Sequence, residues 1–287
     1  MGQHGGMTTT VGIVSTGFMG SGLGWALREG GARVLATLDG RSERTGRLAA
    51  ASGVELLPAL TDVLAAADVV LSVTPPGHAL GAAEAIAAAA RTAGVSPVVA
   101  DLNAIAPPTM AAVAAALDGL PVVDGSISGP PPTASPGARI YLSGAEAATV
   151  AGLPWAGQVE PIVLGPSVGT ASALKMCTAS VYKGLNALVT QAMRTAARHG
   201  VLDEVLADLA HQGLDHSGGV ARAATKAHRY VAEMREIAAT QAGVGLTPAL
   251  FAAIAEVYAE IAQTPLADGD PEDTGRLSPA EMISRLG

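Results

Sequence analysis

The sequence predicts an α/β fold in which a doubly wound, mainly parallel sheet is followed by an all-helical C-terminal domain. Short apolar strands alternate with helical stretches over residues 9–165, which is the pattern of a parallel sheet with crossover helices. Beyond residue 165 no good strand follows, and helical periodicity continues towards the end of the chain. We therefore expect a sheet domain at 9–165, a helical domain at 166–287, and one long helix near 169–199 that joins them.

Each element follows from a local pattern of apolar residues, glycines and prolines. Strands are predicted at 11–14, 33–38, 54–57, 68–73, 97–102, 121–124, 139–143 and 159–164. Helices in the first domain are predicted directly after the first strand and at 43–53, 60–67, 78–93 and 109–118, with Pro107 and Pro108 as a stop before the last of them. Helices in the second domain are predicted at 169–199, 202–211, 217–239, 248–263 and 278–286, with a mobile polar loop at 264–277.

Composition limits the classes of function. The 287 residues carry a net charge of -8, which argues against general binding to nucleic acid or to an anionic membrane surface. A single cysteine, Cys177, excludes an internal disulfide and argues against a zinc site, so no metal is expected. No apolar run approaches the roughly 20 residues of a membrane span. Residues 1–8 have no signal-peptide core and are predicted to be a disordered leader, and we expect a cytoplasmic protein.

The most informative stretch is 11–24, VGIVSTGFMGSGLG, in which an apolar strand runs into a glycine-rich turn and then into a helix. This order is typical of a Rossmann dinucleotide site, because glycine lets the backbone approach a pyrophosphate and the helix N-terminus offers free N–H groups. The motif G-x-G-x-x-G would place its first glycine at position 15, which is a serine. The alternative is a glycine-rich turn that binds nothing. The residues that we assign to the cofactor are Ser15, Thr16, Gly17, Phe18, Met19 and Gly20.

The end of the second strand bears on the choice of cofactor. Asp39 lies about twenty residues beyond the glycines, where a carboxylate would bind the ribose 2′-OH of NAD. Arg41 and Ser42 follow at once, and a guanidinium beside a hydroxyl suits the 2′-phosphate of NADP. Within a nucleotide fold we favour NADP over NAD, and an exposed polar loop is the alternative.

Several polar segments follow later strands. Thr74 with Pro75, and then Asn103, come directly after buried strands, and ligands of such sheets lie at the carboxyl ends of the strands. Ser128 and Gly129 follow a further strand, where a hydroxyl and backbone N–H groups suit a carboxylate. A simple turn is the alternative for that segment.

The long predicted helix carries groups able to exchange protons. Lys175 lies among apolar and small residues, so its ammonium group is costly unless it is neutral, paired or functional, although lysine stems also reach solvent along apolar surfaces. Tyr182 and Lys183 follow two helical turns later near the same face. Burial near a cation lowers a lysine pKa towards working pH, as proton transfer requires. Cys177 is expected to be a small core residue.

A second charged segment lies on a predicted C-terminal helix. Glu233, Arg235 and Glu236 cannot all face solvent if Met234 and its apolar neighbours face the core. The segment is either a solvated face or a surface that closes over the nicotinamide.

Five motifs in one order resemble the β-hydroxyacid dehydrogenase superfamily, whose members include hydroxyisobutyrate and phosphogluconate dehydrogenases. They are VSTGFMG at the glycine turn, SVTPP, ADLNAIAP, VVDGSISG and GPSVGTASALKM. The resemblance covers about residues 9–262. The segment DGSISGPPPTASPGARIYLSG also resembles the neighbouring imine reductases. Two departures are Ala179, where the superfamily usually has asparagine, and Arg235 with Glu236, where it has lysine and aspartate.

The resemblance implies roles for several residues. Lys175 would be the general acid in carbonyl reduction and the base in alcohol oxidation, and Ser128 with Gly129 would bind a substrate carboxylate. Thr74 and Pro75 would lie in the loop beside the nicotinamide ribose and Asn103 in the next loop, while Tyr182, Lys183 and Arg235 would complete the substrate site.

The implied protein is an NADP-dependent oxidoreductase that acts on a small β-hydroxy acid or related carbonyl, as a homodimer with shared helical domains. An imine reductase that uses NADPH is one alternative. The presence of Lys175 argues against this alternative, because it favours reduction of a C=O bond over reduction of a C=N bond. A non-catalytic NADP-binding protein is an alternative of another class.

Overall fold

The computed structural model describes residues 8–132, 136–269 and 277–287. The predicted leader, apart from its last residue, and positions 270–276 of the predicted mobile loop therefore lie outside the described residues. The chain divides into two compact units, the first ending at Lys175 and the second beginning at Met176. This division lies later than the predicted boundary at 165, because the start of the long helix hydrogen-bonds to a strand of the first unit.

The first unit is built on one sheet. Its strands are Thr10–Val14 (β1), Arg33–Ala36 (β2), Glu55–Leu56 (β3), Val69–Ser72 (β4), Val98–Asp101 (β5), Val122–Ser128 (β6), Ala138–Ser143 (β7) and Val159–Gly165 (β8). Their spatial order is β3-β2-β1-β4-β5-β6-β7-β8, and within the described residues only β6 and β7 run antiparallel. The predicted doubly wound, mainly parallel sheet is confirmed, and the order of the strands reverses between β1 and β4.

Helices cover both faces of this sheet. They are Phe18–Glu29 (α1), Glu43–Ser52 (α2), Leu60–Ala66 (α3), Ala79–Ala93 (α4), Pro107–Ala116 (α5) and Ala147–Ala151 (α6), with a 3-10 turn at Pro76–His78. Strand residues alternate between the faces: Val69 and Leu71 share a buried cluster with Leu27 of α1, whereas Val70 shares one with Ile86 of α4. The continuous apolar runs that predicted the strands therefore supply the buried residues on both faces of the sheet.

Two local predictions in the first unit were wrong. Pro107 and Pro108 do not stop an element but begin α5, because the first helical position needs no N–H donor and proline fixes a suitable backbone angle there. The short helix α6 was not predicted at all.

The second unit is helical throughout its described residues. Helix Thr170–His199 (α7) starts in the first unit and continues into the second, where Leu202–His211 (α8), Ser217–Ala224 (α9), Ala227–Gly243 (α10), Ala249–Ile261 (α11) and Pro279–Leu286 (α12) follow. The predicted single helix at 217–239 is two helices, because Lys226 leaves the helical conformation (φ -114°, ψ 2°). No helix in the described part of the chain is both long and apolar enough to cross a membrane.

Candidate active site

A row of buried polar side chains crosses the carboxyl end of the sheet. Ser72, Asp101, Asp124 and Ser143 are register partners from β4 to β7, and each is at most 1% exposed. Sequence reasoning missed this row, because it treated VVLS, VVAD and VVDG simply as strand ends. The signal in the sequence that could have predicted this row is the polar residue that directly follows two or three apolar residues in each of these three strands.

The glycine turn joins β1 to α1 with two different constraints. Ser15 takes the left-handed conformation (φ 79°) at the position where the motif expects its first glycine. A Cβ on Gly20 would lie 2.2 Å from the carbonyl oxygen of Ser15, so the packing of helix on turn requires glycine there. A Cβ on Gly17 would meet nothing closer than Ser15 Oγ at 3.9 Å. The fold itself does not demand Gly17, which leaves room for a ligand beside the backbone.

The same turn leaves polar groups available to a ligand. Gly17 is the N-cap of α1 and provides no side-chain cap, and the first turn of α1 has no acidic residue. Thr16 is 1% exposed, and its Oγ1 has no hydrogen-bond partner in the described part of the chain; the same holds for the buried Oγ1 of Thr74. Buried hydroxyls are normally bonded, so these two point to a partner outside the chain. This arrangement fits a dinucleotide whose pyrophosphate lies on the helix N-terminus.

A buried network holds the Thr74 loop. The Thr74 N–H donates to Asn103 Oδ1 at 2.6 Å, and Asn103 Nδ2 donates to Asp101 Oδ2 at 2.7 Å and to Ser72 Oγ at 3.3 Å. The Asn103 N–H donates to Asp101 Oδ1 at 3.0 Å. Burial raises the pKa of Asp101 to about 7, against the hydrogen bonds of Asn103, and the charge of Asp124 adds to the rise. Because a carboxylate only accepts, Asp101 fixes which way the Asn103 amide faces.

The residues that bear on cofactor choice lie at the surface. Asp39, Arg41 and Ser42 are all exposed. The Ser42 Oγ caps α2 by accepting from the Thr45 N–H at 3.3 Å, and it also shares a hydrogen bond with Thr45 Oγ1 at 3.2 Å. The structure therefore gives Ser42 a helix-capping role, and the predicted contact of Arg41 and Ser42 with a 2′-phosphate stays a prediction.

Lys175 meets the end of β6. Its Nζ donates to the carbonyl oxygen of Ile127 at 2.7 Å, and that carbonyl belongs to the peptide that leads into Ser128. Burial lowers the pKa of Lys175. Ser128 is half-buried, and Gly129 takes a positive φ of 113°. The first unit thus brings the predicted proton donor next to the predicted carboxylate-binding segment.

Asp124 of the same segment is held by the start of α7. It is fully buried, and both of its oxygens accept hydrogen bonds from the start of α7, from Gly169 and Ser172. The resemblance assigned Ser128 and Gly129 of this segment to the substrate. Asp124 anchors the start of a helix.

Three further predicted site residues lie in the second unit. Tyr182 is 70% exposed on α7. Lys183 forms an ion pair with Glu233 of α10 and lies 4.5 Å from the centre of the Tyr230 ring. Arg235 is exposed on the same helix. Glu233 is thus largely buried, which agrees with the expectation that the charged residues of this segment cannot all face solvent. The substrate roles of Tyr182, Lys183 and Arg235 stay predictions. The placement of Cys177 was wrong, because its side chain is exposed rather than in the core.

Comparison with known families decides the identification. Residues 10–154, half of the chain, match the NAD binding domain of 6-phosphogluconate dehydrogenase. The chain belongs to this family. Residues 196–261, in the helical unit, match a domain of unknown function, DUF1932. The family match supports an NAD(P)-dependent oxidoreductase. No curated protein matches the sequence.

Solved structures share the fold over nearly the whole chain. A conserved protein of unknown function, described as structurally similar to 3-hydroxyacid dehydrogenases, is 29% identical and covers 93% of this chain and 100% of its own, with a TM-score of 0.66. The 3-hydroxyisobutyrate dehydrogenase of Mycobacterium tuberculosis, solved with L-serine, is 21% identical with 98% and 99% coverage and a TM-score of 0.70. A reductive aminase from Aspergillus terreus, solved with NADPH and ethyl levulinate, is 17% identical with 97% and 99% coverage and a TM-score of 0.55.

Proposed function

We propose that the protein is an NADP-dependent oxidoreductase acting on a small β-hydroxy acid or related carbonyl, with Lys175 as general acid and base. The observation that carries this proposal is the hydrogen bond of the half-buried Lys175, whose Nζ donates at 2.7 Å to the Ile127 carbonyl oxygen, next to Ser128 in the chain. A lysine with a lowered pKa is suited to give a proton to a carbonyl oxygen as it becomes an alkoxide, and to take that proton back in the reverse direction.

The cofactor and the substrate would use different strand ends. The glycine turn with Gly17, together with the hydroxyls of Thr16 and Thr74, would hold NADP, which supplies or accepts a hydride when bound. The Ser128 hydroxyl and the Gly129 N–H would bind the substrate carboxylate and orient its carbonyl oxygen towards Lys175. Positioning of this kind supplies much of the catalytic effect in hydride transfer enzymes.

The choice of NADP over NAD rests on charge at the end of β2. Arg41 is exposed and makes no ion pair within the described residues, so its guanidinium is available for a phosphate. Asp39 is exposed as well, and NAD would bind if that carboxylate faced the ribose instead.

The proposed assembly is a homodimer that uses α7. Val181 and Leu188 are 64% and 59% exposed along this helix, and their spacing of seven residues places them on one face. An apolar stripe of this length on a long helix favours burial against a second copy of the chain.

The function is tested by turnover of the Lys175→Met variant. Wild-type protein is assayed with NADPH and a panel of small 3-oxo acids, and with NADP and the matching 3-hydroxy acids. We expect Lys175→Met to lower kcat by about 10²-fold or more while NADPH affinity holds, because a general acid contributes 10² to 10⁴. Near-normal turnover in this variant would refute the assigned role. Tight NADPH binding without turnover of any carbonyl or imine would favour the non-catalytic alternative, and turnover of imines alone would favour the reductase alternative.

A further inference from the structure

The Asp124 carboxylate receives four hydrogen bonds inside the first unit. Its Oδ2 accepts from Gly169 N–H at 2.9 Å, from Ser172 N–H at 3.1 Å and from Ser143 Oγ at 3.0 Å, and its Oδ1 accepts from Ser172 Oγ at 2.7 Å. Three of these donors belong to the start of α7. A buried carboxylate is stable only when its oxygens are bonded in this way.

This carboxylate takes the place of a helix cap for α7. The first turn of α7 has no acidic residue of its own, and the first N–H groups of any helix lack partners within it. Asp124 supplies both the acceptor and the negative charge that favour a helix N-terminus, although it lies on β6, far away in sequence.

Neighbouring bonds lock the same turn against the sheet. Ser126 Oγ donates to the Ala171 carbonyl oxygen at 3.0 Å, and the Ala171 N–H donates to Ser143 Oγ at 3.1 Å. Lys175 lies one turn beyond Ala171 and three residues beyond Ser172, so all three share one side of the helix. Fixing the rotation of the first turn about the helix axis therefore fixes the direction of the Lys175 side chain.

We propose that Asp124 is a positioning residue for Lys175: it sets the rotation of α7 so that the ammonium group reaches the Ile127 carbonyl at the substrate segment. Its catalytic meaning rests on the proposed function, whereas its structural effect on Lys175 does not. Asp124 itself touches neither substrate nor cofactor in this arrangement.

Asp124→Asn tests the proposal with little change of shape. The amide removes the negative charge and so weakens the bonds from the Gly169 and Ser172 N–H groups, and it keeps the bond to the Ser172 Oγ only if that hydroxyl accepts from the NH₂ group instead of donating. The matched control is Asp68→Asn, because Asp68 accepts from the Thr10 N–H at 2.8 Å next to the sheet but has no such bond to α7. Trp fluorescence and NADPH binding establish how much of each variant is folded.

Lysine NMR reads the effect on Lys175 without any substrate. The chain has three lysines, Lys175, Lys183 and Lys226, so protein labelled with ¹³C-lysine gives three side-chain signals, and Lys175→Met assigns the relevant one. In Asp124→Asn we expect the chemical shift of the Lys175 signal to move, because a changed rotation of the first turn of α7 alters the surroundings of its ammonium group. The signals of the other two lysines are expected to stay in place, and the Asp68 control is expected to leave all three unchanged.

Kinetics then separate this proposal from the proposed function. The kcat per NADPH-binding site of Asp124→Asn is expected to fall about tenfold or more with NADPH affinity unchanged. An unmoved Lys175 signal in folded Asp124→Asn would overturn the positioning role. A moved signal together with normal turnover of Lys175→Met would leave the positioning role standing and refute Lys175 as the acid.

A milder variant applies if Asp124→Asn does not fold. Ser172→Ala removes one bond to Asp124 and keeps the carboxylate charge. We expect it to move the Lys175 signal, because one of the bonds that fix the first turn of α7 is lost. A Lys175 signal identical to wild type in this variant would count against the proposal.

Discussion

The buried carboxyl of Asp101 predicts an unusual dependence of stability on pH. Its pKa is raised to about 7 in the folded protein from an ordinary value of 3.8. Between these values the native state holds a proton that the unfolded chain has released, so folding is favoured at low pH and the advantage is lost as pH rises through 7. Over pH 5 to pH 8 this single group lowers the free energy of unfolding by about 2 to 3 kcal/mol.

Asp101→Asn isolates this contribution. The amide does not titrate, so the wild-type free energy of unfolding should fall by about 2 to 3 kcal/mol relative to the variant from pH 5 to pH 8, while other titrating groups cancel in the difference. Trp25 and Trp155 are the two tryptophans of the chain and both lie in the first unit, so urea unfolding followed by tryptophan fluorescence reports the unit that contains Asp101. Parallel curves for the two proteins would refute the burial argument.

Three further predictions concern the cofactor site and the assembly. Gly20→Ala should destabilise the first unit by about 3 kcal/mol in urea unfolding, because the added Cβ meets a backbone oxygen. Gly17→Ala should fold normally but bind NADPH at least about tenfold more weakly in a fluorescence titration. Equal behaviour of the two variants would contradict the assigned turn. Arg41→Ala should weaken NADPH but not NADH binding by about tenfold or more, with Arg47→Ala as a control that changes neither. Leu188→Glu should convert a dimer to a monomer in light scattering, and a monomeric wild type would contradict the dimer.

Much of the first unit could be predicted from sequence, because its strands are short apolar runs separated by glycine or proline. The parallel sheet, the glycine turn and the helix that carries Lys175 all follow from such local patterns. The exposed position of Cys177 did not follow, since helix phase is uncertain in a stretch where alanine occupies every face. The break between α9 and α10 at Lys226 could not be predicted either, because no glycine or proline lies at that position.

The supporting residues of the site could not be predicted by local reasoning. Asp101 and Asp124 acquire their roles from partners on other elements: Asn103 links Asp101 to the Thr74 loop, and Ser172 links Asp124 to α7. Sequence spacing shows which residues carry chemistry at strand ends, but register between strands decides which of them meet. The row of buried polar residues from Ser72 to Asp124 can be recognised only when the order of the strands in the sheet is known.

We propose that the first unit binds a nicotinamide dinucleotide and prefers NADP over NAD. The most direct test is a fluorescence titration of the full chain with NADPH and NADH side by side at fixed ionic strength. Our account predicts tight binding of NADPH and weak binding of NADH. A preference for NADH would mean that Asp39 and not Arg41 reads the ribose, and failure to bind either would contradict the assignment of the glycine turn.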